Sequence, residues 1–220
     1  MIDSQSAADP QAARRSPLRS GTAVRFVLAV VLGLAVGAWT EWEVIRISFA
    51  LEPLTNTAAP WVLLAFLVAL SARRVEEAVV LAVVTLLALV LGFYFAQASR
   101  GWEVSHHQLA FWLIASFVAG PLVGLAAGWL RHGGAVLGGV GAGIVAGIFV
   151  GEAAYGIRKL TYSSPHPYWR VQIGLGIAIA LALPLWRCRR DLRAAVPAIA
   201  ASLVTCAAIG AATLAAYLVV

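Results

Sequence analysis

The chain has 220 residues, of which 61% are hydrophobic and only 12% charged, with a mean hydropathy of +0.87. A soluble globular domain is about 45–50% apolar and about 25% charged, so the composition excludes a water-soluble fold and points to one all-α domain embedded in a lipid bilayer. The formal net charge of +6 implies no nucleic-acid partner, because most basic residues sit in short segments flanking apolar runs, where they set topology.

Residues 1–22 are polar and small, carry Arg14, Arg15 and Arg19, and lack a periodic apolar face. They read as a disordered cytoplasmic tail, leaving 23–220 as a single transmembrane helical domain. Arg25 opens the apolar run 26–40. The run is short and ends in small residues, as the apolar core of a signal peptide does. Ala29, Gly33 and Gly37 also have the small-xxx-small spacing of a packed membrane helix, and an uncleaved first span is the reading carried forward.

Thr40, Glu41, Trp42 and Glu43 follow as a polar, aromatic loop. Residues 44–51, with Arg46 and Ser48, are too few to span and read as an interfacial or re-entrant segment within 44–59. A second helix is expected over 57–72, with Asn56 or Thr57 as N-cap and Pro60 in its first turn. It reaches about 24 Å against a hydrocarbon core of about 30 Å, so either its start is buried or the preceding segment continues it.

Arg73 and Arg74 close that helix, and a third span is expected over 75–98, ending near Tyr94 and Gln97. Glu76 and Glu77 suit its N-terminal dipole and pair at the interface. A loop over 99–108 holds Arg100, Trp102, Glu103, His106 and His107. The fourth span, 109–130, has Gly120, Gly124 and Gly128 at spacing four and Pro121 as a kink.

The turn 131–134 is short enough to force a hairpin with the fifth helix, GGAVLGGVGAGIVAGIFVGE, over 133–152. Gly139, Gly143, Gly147 and Gly151 recur every fourth residue. Each would cost roughly 1 kcal/mol inside a soluble helix; in a bilayer they bare the backbone for close approach by another helix. Folding about the turn sets Gly124 level with Gly141, so the fourth and fifth helices are expected to meet through glycine. The outer half, Gly147 and Gly151, is expected against the first helix at Gly33 and Gly37.

A loop over 156–169 carries Arg158, Lys159, Tyr162, His166, Tyr168 and Trp169, with Pro165 and Pro167 opposing helix formation. The sixth span follows over 170–186, broken late by Pro184, then the basic cluster Arg187, Arg189, Arg190 and Arg193, and a last span over 195–218. With seven spans, one side collects eleven basic residues and the other only Arg46, Arg100, Arg158, Lys159 and Arg170. That bias places the N-terminus in the cytoplasm and the C-terminus outside, in a multi-pass cell or bacterial inner-membrane protein. No internal repeat is evident.

Nearly all reactive side chains fall in the outer loops, so a site is expected to open outward. Glu152 is the strongest candidate, because an ionisable group at that depth is costly unless paired or wet; it faces either a ligand cavity, with Arg46 or Arg170 as partner, or the interface. Asn56, Thr57 and Trp61 come next, since a helix start buried in the outer leaflet offers free N–H groups to an anion. Arg46 and Tyr94 complete the candidate ligand set. Glu103 and His107 share a helical face, yet with His106 and His166 they lack a metal-site spacing. Cys188 and Cys206 suit neither a metal nor a disulfide. No catalytic motif, metal or cofactor is implied.

Over most of its length, with Asn56-Thr57-Ala58-Ala59-Pro60-Trp61 and Gly151-Glu152 as the recognisable parts, the chain resembles a family of uncharacterised bacterial multi-pass membrane proteins that has no assigned activity. More distantly, through Ala29, Gly33 and Gly37, it is similar to the substrate-binding S-components of energy-coupling-factor transporters. That second likeness implies a small ligand near the outer face and a docked coupling subunit, although S-components have six spans rather than seven.

Two functions are therefore expected. One is small-molecule binding or transport at an outward-facing site; the other is a non-catalytic accessory subunit that packs through its glycine stripes against another membrane protein or a second copy of itself. A membrane enzyme comes third. A buried outward pocket lined by Glu152, Trp61 and Tyr94 would favour the first, and a glycine face left open to lipid the second.

Overall fold

A computed structural model of the chain describes residues 17–43, 46, 49–55, 57–159 and 166–219. The described residues form seven α-helices: α1 (Pro17–Glu43), α2 (Ala58–Ala69), α3 (Val75–Ser99), α4 (His106–His132), α5 (Ala135–Lys159), α6 (His166–Arg187) and α7 (Leu192–Val219). A short 3-10 helix, Phe49–Thr55, precedes α2. All but α2 are long and apolar enough to cross a bilayer, which needs about 20 residues. The chain is thus a polytopic helical bundle. With 12 residues, α2 rises only about 18 Å, so it is a half-span held inside the bundle against α3, α4 and α5.

The helices alternate in direction and leave two unlike ends. One end, called basic here, carries Arg73, Arg131 and Arg187. These side chains are partly spent on closing helices: Arg131 Nη1 donates to the Leu70 carbonyl, and Arg187 Nε donates to the Leu130 carbonyl at 3.1 Å. Cations there satisfy the orphan carbonyls of helix C-termini and oppose their dipoles. Arg25 of α1 and Glu77 of α3 form an ion pair at 2.7 Å at the same end. The opposite end, rich in aromatic residues, carries Trp42, Trp61, Trp102 and Trp112.

The small-residue stripes pack differently from expectation. Gly33 and Gly37 of α1 lie on α3, where added Cβ atoms would overlap Thr85, Ala88 and Leu89; Gly92 of α3 returns the contact on Leu34. Ala29 is fully buried. Gly120, Gly124 and Gly128 of α4 also face α3, at Val83, Val79 and Val75. The α4 stripe and the α5 stripe therefore do not meet; α5 touches α4 through Gly141, against Ala126.

The α5 stripe is covered along its whole length by α7, not by α1. Gly139 meets Ala198, Gly143 meets Ser202, Gly147 meets Cys206, and Gly151 meets Gly210. The offset between partners is constant, as it must be for two parallel helices. Ala198, Ser202, Cys206 and Gly210 form a second small-residue stripe of spacing four, which lets the two backbones approach. Two of its members are polar, and a search for Gly and Ala alone passes over it. Ser202 Oγ donates across to the Ala180 carbonyl of α6 at 2.8 Å.

Several boundaries move. Helix α1 begins at Pro17, inside the expected tail, and ends at Glu43, past the expected loop at Thr40; residues 1–16 lie outside the described residues. His106 and His107 belong to the first turn of α4, capped by Ser105, rather than to a loop. Helix α5 runs to Lys159, two turns beyond Glu152. Pro167 does not oppose α6 but sits in its first turn, where a missing N–H costs nothing.

Candidate functional site

Thr57 occupies the N-cap position of α2, with extended φ and ψ of −126° and 153°, but its side chain makes no capping bond. Asn56, the other expected cap, lies outside the described residues. Glu152 of α5 does the capping instead. Its Oε1 accepts from the Ala58 N–H at 2.7 Å and its Oε2 from the Ala59 N–H at 2.9 Å. The next residue, Pro60, has no N–H to satisfy. A helix start buried inside a bilayer would otherwise leave donors unpaired at a cost of several kcal/mol each.

Two further donors complete the node. Tyr217 Oη of α7 donates to Oε1 at 2.7 Å, and Gln172 Nε2 of α6 donates to Oε2 at 3.1 Å and to the Phe149 carbonyl at 3.2 Å. Four donors match the four acceptor sites of an ionised carboxylate. Tyr155 of α5 stacks on Tyr217 with ring centroids 5.1 Å apart, fixing the phenol. The anion expected at the α2 start is thus a residue of the chain itself. Glu152 is 3% exposed, and its carboxylate is held by donors from α2, α6 and α7 rather than by Arg46 or Arg170.

The pinned helix start forms one wall of a cavity of about 240 Å³ at the aromatic end. Thr57 and Trp61 come from α2, Glu41 from the last turn of α1, Phe93, Tyr94 and Gln97 from α3, and Gln108 and Trp112 from α4, with Trp102 from the loop between. Trp61 sits against Phe93 at 5.8 Å and Trp112 at 6.2 Å between ring centroids. Trp102 and Gln108 are exposed and lie at the mouth. Thr57 Oγ1 is 3.4 Å from Tyr168 Oη of α6, which ties the same wall to a second helix.

Glu41 owes its place to the close approach at Gly37, which brings the end of α1 onto α3. The helix then continues one turn further, and the carboxylate turns inward, 2% exposed. Arg100 Nη1 donates to the Glu41 backbone carbonyl at 3.0 Å and stands 3.5 Å from Oε1. The guanidinium is held over the Trp102 ring, 4.0 Å from its centroid, and 5.4 Å from that of Trp42. The ion pair offsets charge without making a hydrogen bond to Oε1.

Among the described residues, four buried side-chain polar atoms have no hydrogen-bond partner, and three belong to this cavity: Glu41 Oε1, Trp61 Nε1 and Gln97 Oε1. Such atoms are rare in folded proteins, because each leaves a desolvation cost of about 1–3 kcal/mol uncompensated. All three residues line the same cavity.

Of the expected ligand residues, Thr57, Trp61 and Tyr94 line the cavity. Glu152 does not line it and supports it from behind. Arg46 lies over Trp42, 5.7 Å from the ring centroid, outside the lining. Glu41 and Gln97, outside the expected ligand set, also line the cavity. The signal for Glu41 was available, since Ala29, Gly33, Gly37 and Glu41 continue one stripe at spacing four. Glu103, His106 and His107 form no metal-ligating group among the described residues.

Residues 16–219 match the family model described as "Family of unknown function (DUF6518)", and the chain belongs to that family. No curated protein and no solved structure matches it, so nothing beyond residue spacing supports the likeness to S-components.

Proposed function

We propose that this membrane protein binds a small molecule in the cavity between α1, α2, α3 and α4, as a receptor or as part of a carrier. The observation that carries the reading is that Glu41, Trp61 and Gln97, which line one aromatic-walled space, each hold a buried polar atom without a hydrogen-bond partner: Glu41 Oε1, Trp61 Nε1 and Gln97 Oε1. The cavity is smaller than the roughly 300–1,000 Å³ of sites for drug-sized ligands, which suits a ligand of about one ring. Basic residues gather at the other end, so the positive-inside rule puts the cavity mouth outside the cell membrane and the N-terminus in the cytoplasm. Helix α2 carries the chain from the aromatic to the basic end without spanning, so the seven-crossing parity is kept and the C-terminus lies outside.

An accessory subunit docking through glycine stripes has less support, because α7 already covers Gly139, Gly143, Gly147 and Gly151. The binding reading is tested by purifying the protein from native membranes and analysing released small molecules by mass spectrometry. A compound retained by the wild type and depleted from Glu41→Gln is expected. Recovery of intact wild-type protein with no bound small molecule would overturn the reading.

A further inference from the structure

The unpartnered atoms narrow the ligand's chemistry, in an inference that rests on the binding reading above. Two of the three are acceptors, Glu41 Oε1 and Gln97 Oε1, and one is a donor, the Trp61 indole N–H. A complementary ligand brings at least two N–H or O–H donors and one acceptor. Arg100 does not complete the set: its Nη1 stands 3.5 Å from Glu41 Oε1, an ion pair without a hydrogen bond, its Nη1 donates to the Glu41 carbonyl and its plane lies over Trp102, and it is not among the lining residues.

The walls distinguish the charge. Trp61, Phe93, Tyr94, Trp102 and Trp112 line the cavity, and aromatic faces carry negative potential that attracts cations. A bound anion would meet a carboxylate, an amide oxygen and ring faces, with one indole N–H in its favour. A cation with N–H groups meets the carboxylate, the amide oxygen and the ring faces favourably, leaving the indole N–H to an acceptor on the ligand's body, and the partial neutralisation of Glu41 by Arg100 limits the desolvation cost of an empty site.

We infer that the ligand is a small organic cation bearing at least two N–H donors, an amine or amidine on a flat body about one ring in size that carries one acceptor for the Trp61 N–H. Its nitrogen end meets Glu41 and Gln97, and its body lies among Trp61, Tyr94 and Trp112. A quaternary ammonium is excluded, because it would leave both acceptors unfilled.

The test uses the full chain in lipid nanodiscs, titrated with three near-isosteric probes: benzamidine, benzamide and benzoate, read by calorimetry and tryptophan fluorescence. Benzamidine is expected to bind at least tenfold more tightly than benzamide, with benzoate weakest. Glu41→Gln should remove that preference by weakening benzamidine at least tenfold and leaving benzamide little changed. Gln97→Leu, which spares the Glu41–Arg100 pair, should weaken benzamidine at least threefold and serves if Glu41→Gln fails to fold. Equal or tighter binding of benzamide or benzoate, or unchanged benzamidine affinity in the folded variants, would overturn the ligand class while leaving the pocket in place. Absence of binding by all three probes, with a small molecule still co-purifying, would also overturn the class alone; absence of both would overturn the pocket as well.

Discussion

Glu152 of α5 accepts the backbone N–H of Ala58 at 2.7 Å, so a carboxylate from one helix caps the start of another across 94 residues of sequence. The bond places Thr57 and Trp61 at the cavity, and it joins the half-span α2 to α5, α6 and α7 through one side chain. Removing it leaves buried donors on three helices without an acceptor.

Glu152→Ala is therefore expected to be among the most destabilising single changes in the chain. Each buried donor left without its acceptor costs about 1–3 kcal/mol. Tyr217→Phe removes only one of four bonds and should cost about 1.5–3 kcal/mol, the range for a hydrogen bond to a charged group. Thermal unfolding in detergent, followed by circular dichroism, ranks the two. Equal stability of Glu152→Ala and wild type would mean that the α2 start is not held by this carboxylate.

Glycine substitutions should separate by place and not by count. At Gly147 an added Cβ would overlap Cys206 and Ile209 of α7, whereas at Gly174 of α6 nothing lies within 4 Å. Gly147→Ala is expected to destabilise by about 1–3 kcal/mol through overpacking. Gly174→Ala should be neutral or stabilising by up to about 1 kcal/mol, from helix propensity alone. Unfolding midpoints of the two variants check the difference, and a loss at Gly174 with none at Gly147 would contradict the α5–α7 contact.

The orientation is open to a labelling experiment. Cys188 and Cys206 are buried, and replacing both with Ala gives a background for single cysteines at exposed sites. His107→Cys, at the aromatic end, should react with a membrane-impermeant maleimide on intact cells. Arg190→Cys, at the basic end, should react only after lysis. The opposite pattern would invert the topology and place the cavity mouth in the cytoplasm.

How much of this was legible depended on whether the relevant signal was local. The long apolar runs and the short second helix are properties of single segments, and the sequence shows both, with a buried start of α2 as one of the two readings that its length allows. Partner choice is not local. The α5 stripe needed a matching stripe, and α7 supplies it with Ser202 and Cys206, residues that small-residue counting passes over. Glu152 stands out in the sequence as an ionisable group at depth, but two of its four partners are backbone donors, which no side-chain pattern encodes. Glu41 was hidden by ending α1 at its first polar residue, although the spacing of four from Gly33 and Gly37 continued through it.

An experimental structure of the protein, extracted from its native membrane with the surrounding lipid, would test the central claim most directly. A non-protein molecule among Trp61, Tyr94 and Trp112, within hydrogen-bond distance of Glu41 Oε1, is the expected result. A closed cavity in which Glu41 Oε1, Trp61 Nε1 and Gln97 Oε1 are each bonded to other side chains of the chain would contradict it.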